Sequence, residues 1–324
     1  MLGKLATVAA NGFKESIRQP VYVVLLVGGS LLLALNLAIC GYAFEDDNKL
    51  LLDLGLSTLF VAGLLLAAFS ATGVFNREIE NKTVLTVVSK PVSRPAFVLG
   101  KYLGVTAALG VAFTIWALVF QLTVRHGVMS RADDPFDMPV ILLGGGALAL
   151  AFAGAGLGNY FFNWVFASAL TAGLAPLMLL AYGLALCLDK NWALQPPGRD
   201  FNAPVWIAVL CIFQALAVLS AVAVAVSTRL GQVMTLSICA AVFLLGLSSD
   251  YLFGGYREER LIARVAYGVV PNLNFHWLAE ALHGDHGHLG EFAPLVGLVS
   301  AYSALYVAAI LGVAVALFQT REVG

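Results

Sequence analysis

The sequence predicts an all-α membrane protein, a single domain of residues 1–324 that crosses the bilayer about eight times. Its residues are 60% hydrophobic and only 11% charged, whereas soluble domains are about half apolar and a quarter charged. The apolar residues are concentrated in runs that reach the ~20 residues an α-helix needs to cross a bilayer. Short polar segments separate these runs, so we expect repeated crossings.

The N-terminal segment, residues 1–20, has a different pattern from the apolar runs that follow. Phe13 and Ile17 recur at helical spacing, and Lys14, Glu15 and Arg18 lie between or beside them. Such a pattern is typical of an amphipathic helix lying in the headgroup plane. We therefore predict an interfacial helix that includes Phe13, Glu15 and Arg18. The alternative is a simple extension of the first span.

The remaining runs predict the spans and the segments between them. Residues 139–188 contain no charged residue and are too long for one crossing, so they predict a hairpin that bends at 158–163. The segment 250–291 predicts two short helices outside the spans, Glu258–Val269 and Asn274–His283. The predicted spans are one and two in 21–75, three in 96–124, four and five in 139–188, six and seven in 204–249, and the last in 294–318.

The basic residues predict the orientation. Lys4, Lys14 and Arg18 precede the first span, and the connector after the second span is also basic. Cytoplasmic segments carry an excess of Lys and Arg. We therefore expect a multi-pass protein of the cell (inner) membrane with both termini in the cytoplasm.

The connector of residues 76–95 is the main polar interruption in the N-terminal half. Thr83–Ser89 forms a short segment that Pro91 ends, since proline disfavours helical structure before it. Ser93 or Arg94 can cap the next helix, which Pro95 helps to begin. A short helix held between two span ends is suited to contact a soluble partner. An ordinary solvated loop is the alternative.

Several kinds of chemistry are missing from the sequence. No predicted span has an ionisable residue at its centre, whereas ion-coupled transporters usually keep one there. There is no HExxH or GxSxG motif. Gly100-Lys101 is followed by Tyr102 instead of Ser or Thr, so there is no Walker A site. The chain is predicted not to be an enzyme and to bind no cofactor. Its net charge of −1 does not indicate nucleic-acid binding.

A histidine-rich stretch precedes the last span. On a continuous helix, His276, Glu280 and His283 would share one face, and His286 and His288 follow. Imidazole and carboxylate groups at such spacing can bind zinc or copper. A hydrated polar turn explains the same residues, so we predict no metal site and keep these five residues as candidates only.

The connector and its flanks resemble a known family. Residues 78–83 (EIENKT), Leu85, residues 89–94 (SKPVSR) and 99–101 (LGK) are similar to the pattern of ABC-2 type transporter permeases. Looser similarities occur at residues 13–18, 226–229, 270–275 and 317–322.

The resemblance implies the transmembrane subunit of an ABC transporter, usually an exporter. Two permeases, either two copies or a copy and a paralogue, would pair with separate ATPase subunits that bind ATP and Mg²⁺. The fold would be a six-span core, with 139–188 as an added hairpin. A membrane scaffold or regulatory subunit that serves the same ATPase is the alternative. The short helix of the connector would be the coupling helix of this family. It and its flanks would contact the ATPase through Glu78, Glu80, Thr83, Leu85, Pro91, Arg94 and Lys101.

Overall fold

A computed structural model describes residues 2–41, 47–80, 93–129, 134–282 and 289–319 and confirms the all-α polytopic fold. The long helices are α1 (Leu2–Ile17), α2 (Pro20–Cys40), α3 (Asp47–Glu80), α4 (Arg94–His126), α5 (Met138–Phe162), α6 (Phe166–Leu186), α7 (Ala203–Ser227) and α8 (Gln232–Leu247). They are followed by α9 (Ser249–Leu252), α10 (Leu261–Val269), α11 (Ala279–Leu282) and α12 (Leu289–Gln319), with 3₁₀ turns at Gly254–Tyr256 and Asn274–His276.

Within this described part, seven helices are long and apolar enough to cross a membrane: α2 to α7 and α12. Helix α8 is shorter. The chain bends by 66° after it, between Gln232–Leu247 and Ser249–Tyr256, and this bent pair gives an eighth crossing if it counts as one span. The expectation of about eight spans agrees with this range.

The helix boundaries follow from local sequence. Proline occupies the first turn of α2, α4, α5 and α7, where its missing N–H costs no helical hydrogen bond. The side chains of Asp137 and Asn202 cap α5 and α7 by accepting from Val140 N and Val205 N, each at 3.2 Å. Asn163 ends α5 in the left-handed conformation, with φ of 54°. The predicted bend of the uncharged hairpin therefore lies at this turn.

Helix α4 is at the centre of the bundle, and the α5–α6 hairpin is at its edge. In α4, 67% of the apolar stretch is buried within the protein, against 28% in α5, so α5 lies mostly at the surface of the bundle. Buried Trp116 fixes α4 to α2 because its Nε1 donates to Leu26 O at 2.9 Å. Nearby, Tyr22 Oη donates to Ala108 O at 2.8 Å.

The two ends of the bundle carry different segments. One end, which we call the α1 face, carries α1, the α5–α6 turn at 163–165, the α7–α8 turn at 228–231 and the end of α12. The opposite face carries residues 127–129, 134–137, 187–202 and 248–282.

The segment before α12 corrects one prediction. A single helix at Asn274–His283 is wrong: the structure has a 3₁₀ turn at Asn274–His276, and α11 begins only at Ala279. Trp277 between them is extended, with φ of −94° and ψ of 96°. His276 points into the bundle, where it is fully buried. The chain turns at Trp277 with His276 buried, so His276 and Glu280 are not on one continuous helix.

Candidate functional site

The α1 face contains a close crossing between α1 and the beginning of α4. A Cβ atom on Gly100 would lie 2.7 Å from Val8 Cβ, and one on Gly104 would lie 2.5 Å from Ala9 O. No larger residue fits at these positions without separating the helices. The turn at Arg18–Gln19 makes α1 a separate helix from α2, whereas its location in the headgroup plane stays a prediction.

A buried ion pair lies at this crossing. Lys101 Nζ is 3.1 Å from Glu15 Oε2, and the two side chains are 2% and 23% exposed. The same Nζ lies 5.7 Å from the centre of the Phe97 ring, a favourable position for a cation. A charge taken out of water is tolerated only when it is paired. Lys101 therefore holds α1 against α4.

Three phenylalanines join the helices that enter and leave the connector. The Phe97 ring at the start of α4 stacks on Phe318 near the end of α12, with 5.3 Å between centroids and 19° between planes. Phe75 in α3 contacts the same ring edge-on at 6.1 Å. Since α3 enters the connector and α4 leaves it, this cluster ties both of its ends to α12.

Two arginines hold the last turn of α12 at the same face. Arg94 donates from Nη1 to Gln319 O. Arg229, in the α7–α8 turn, donates to Leu317 O from Nε at 3.0 Å and from Nη2 at 2.6 Å. Cations favour the C-terminal end of a helix because its last carbonyls are unpaired and carry partial negative charge. The end of α12 is thereby attached to both α4 and the α7–α8 turn.

The predicted coupling residues are only partly located by the structure. Glu78 and Glu80 lie in the last turns of α3, but their side chains are outside the described part, as are residues Thr83, Leu85 and Pro91. Arg94 is at the start of α4, and Lys101 lies about two helical turns further along it. Ser93 stands at the N-cap position and makes no side-chain capping bond.

Among the residues predicted for the interfacial helix, Glu15 pairs with Lys101, Phe13 packs against the core and Arg18 is exposed. The Glu15–Lys101 pairing was missed because it joins residues far apart in sequence. A signal for the crossing was present in the Gly100-x-x-x-Gly104 spacing, which is typical of closely packed membrane helices.

The opposite end of α4 carries a second buried cation, Arg125. Its Nε lies 3.4 Å from both Asp137 Oδ2 and Asp200 Oδ2. It also donates to Ala185 O, and from Nη2 to Leu188 O at 2.6 Å. The predicted third span ends at residue 124, but Arg125 belongs to the last turn of α4. It connects the ends of α4 and α6 to the start of α5.

The described residues contain no group of three potential metal ligands, and His276 is the one histidine candidate among them. His276 Nε2 lies 2.7 Å from Ser303 Oγ, and burial lowers the pKa of this histidine to about 4. Ser303 Oγ donates to Val299 O at 2.8 Å, so it accepts from His276, which is then neutral with its proton on Nε2. The Glu280 side chain, His283, His286 and His288 lie outside the described part.

No protein-family model and no curated protein matches the sequence. At the α1 face, the ends of α3 and α12 meet the start of α4, and Lys101 and Arg94 of α4 contact α1 and α12 there.

Proposed function

We propose that the chain is the transmembrane permease subunit of an ATP-driven transporter of the ABC-2 type, acting as an exporter. The connector at 76–95 would contact a separate ATPase subunit. One observation carries this proposal: both ends of the connector are fixed, through Phe75 and Phe97, to one cluster with the end of α12. A force on the connector therefore reaches three membrane helices at once.

The Lys101–Glu15 pair extends this connection to α1. Because α1 and α4 cross without intervening side chains at Gly100 and Gly104, α1 has to follow any displacement of the start of α4. Packed elements of this kind shift as rigid bodies instead of deforming. Tilting of α3 and α4 with α1 is a suitable movement for alternating access across a bundle.

The energy for this movement would come from outside the chain. The sequence has no Walker A site, so ATP and Mg²⁺ would be held by the partner ATPases, one for each of two permease copies or paralogues. The α1 face would be cytoplasmic, since exposed Lys14 and Arg18 and both described ends of the basic connector lie there.

Purification of the full chain from its native membrane tests the proposal. We expect an ATPase subunit to co-purify, and the reconstituted complex to hydrolyse ATP faster when cargo is present. The variant Glu78→Ala/Glu80→Ala/Arg94→Ala should lose the ATPase subunit. A matched variant on the opposite face, Glu258→Ala/Glu259→Ala/Arg264→Ala, removes the same charges from exposed positions and should keep it.

Retention of both assembly and ATP hydrolysis by the connector variant would contradict the proposed coupling. ATP hydrolysis by the complex without any cargo movement into or out of vesicles would favour the scaffold or regulatory role over transport.

A further inference from the structure

A groove of about 750 Å³ lies between α5 and α6 and reaches the α1 face. This volume is within the ~300–1,000 Å³ of small-molecule sites. Its floor consists of small residues: Ala151, Gly154, Ala155, Ala169, Ala172 and Gly173.

The groove has the length of one bilayer leaflet. On α5 it extends from Leu150 to the turn after Phe162, and on α6 from Val165 to Leu177. At 1.5 Å per residue each side is about 18 Å long. Half of the ~30 Å hydrocarbon core is about 15 Å. A single extended acyl chain therefore matches the groove in length and in polarity.

The mouth of the groove is built for a headgroup. Arg18, in the turn between α1 and α2, lines it and is exposed. Trp164 lines it beside Asn163 and is 54% exposed, and the preceding residues Tyr160 and Phe161 are more exposed still. Aromatic side chains of this kind are enriched at the membrane–water boundary. A guanidinium group at that depth favours a phosphate, which it can bind with two parallel hydrogen bonds.

We infer that this groove binds one anionic phospholipid from the leaflet on the α1 face, with an acyl chain between α5 and α6 and the phosphate at Arg18. Charge complementarity selects this occupant over a zwitterionic lipid. A bound headgroup would bridge the α1–α2 turn to the α5–α6 hairpin. The α5–α6 hairpin would then be attached to α1, which carries Glu15. This attachment would give the hairpin a structural role whether or not the protein transports a substrate.

The groove can be filled by a larger side chain that does not clash with neighbouring residues. A Cβ atom on Gly154 or on Gly173 meets no other atom within 4 Å, so a leucine at either position would project into the groove. Gly183, on α6 outside the groove, is equally open and provides a matched control. Lys14, one helical turn before Arg18 and exposed, does not line the groove and provides the control for charge.

Native mass spectrometry of the full-length protein in detergent tests the inference. The probes are phosphatidylglycerol and phosphatidylcholine with identical acyl chains. The wild-type protein should form a one-to-one complex with phosphatidylglycerol and bind phosphatidylcholine about fivefold more weakly, the factor expected for one basic residue near an anionic surface. Arg18→Gln should remove this preference. Gly154→Leu should abolish binding of both lipids, whereas Lys14→Gln and Gly183→Leu should bind like the wild type.

Thermal unfolding of each variant establishes that it is folded, and Gly173→Leu replaces Gly154→Leu if the latter is not. Equal binding of the two lipids by the wild-type protein would overturn the inference. So would undiminished binding by the folded leucine variant, or a cross-linked dimer in which a second copy of the chain fills the groove.

Discussion

The two ends of α4 each bury a cation, and the two cations are held differently. Lys101, at the α1 face, pairs with the carboxylate of Glu15, which is 23% exposed. Arg125, at the opposite face, contacts the carboxylates of Asp137 and Asp200 and donates to two carbonyls at the end of α6. Asp137 is itself only 1% exposed and caps α5. The Arg125 guanidinium is thus held by groups from α5, α6 and the segment before α7, whereas the described carboxylate contact of Lys101 is with α1.

This difference suggests a lever with one fixed end. A planar guanidinium group with several directional partners resists displacement, whereas an ammonium group on a flexible chain can keep its partner while the helix shifts. The connector proposed to receive force adjoins the Lys101 end. Movement would therefore be largest at the α1 face and small at the Arg125 end.

The largest effect is expected for Arg125→Ala. Removal of one partner of a buried ion pair leaves the other charge uncompensated and costs about 3–5 kcal/mol. The free energy of unfolding in detergent micelles, measured by denaturant titration, should fall by this amount. Arg199→Ala, an exposed change in the same polar pocket, should cost less than ~0.5 kcal/mol. Similar losses of unfolding free energy in both variants would show that the Arg125 ion pairs do not hold this end of α4 in place.

Acidification provides a second test of the opposite face, through His276. Its pKa is lowered by burial from 6.5 to about 4, so between these values the unfolded chain binds more protons than the folded protein. The contribution of this group to stability is therefore lost as pH falls below 6.5. At pH 5 the loss should be about 2 kcal/mol.

The pH dependence of unfolding should be compared between the wild type and His276→Gln. The difference between the two curves isolates this histidine from other titrating groups. The protection of the α10 amides against hydrogen exchange, corrected for the intrinsic pH dependence of amide exchange, should also decrease between pH 7 and pH 5 in the wild type alone. Identical curves for the two proteins would mean that His276 does not attach this segment to α12.

The helices could be predicted from the sequence, but the side-chain contacts that hold them together could not. The apolar runs gave the spans, and the Asn163 turn was foreseen because polar and glycine residues interrupt an otherwise uncharged stretch. The Arg125 and Lys101 pairs were not foreseen, because each joins residues from elements whose neighbours depend on the packing of the whole bundle. His276 was misplaced for a related reason: helical spacing was assumed to continue through Trp277, but burial of the imidazole broke it.

A smaller effect is expected for the ion pair at the α1 face. Because Glu15 reaches water when it loses its partner, Lys101→Met should cost less than Arg125→Ala. A double-mutant cycle of Lys101→Met with Glu15→Gln should give a coupling energy of about 1–2 kcal/mol in unfolding. Zero coupling would show that α1 is held by the glycine crossing alone.

The smallest effect on stability is expected for Arg94→Ala. Arg94 is exposed and caps the end of α12, a contact worth about 0.3–1 kcal/mol. Arg94→Lys keeps the charge and should fall between the wild type and the alanine variant in unfolding experiments. If α4 has one fixed and one movable end, Arg94→Ala should barely alter the free energy of unfolding. It should nevertheless uncouple ATP hydrolysis from cargo movement. Arg125→Ala should have the reverse pattern of effects. A loss of stability as large as that of Arg125→Ala would contradict this distinction, because both ends of α4 would then be equally fixed and the connector would have nothing to move.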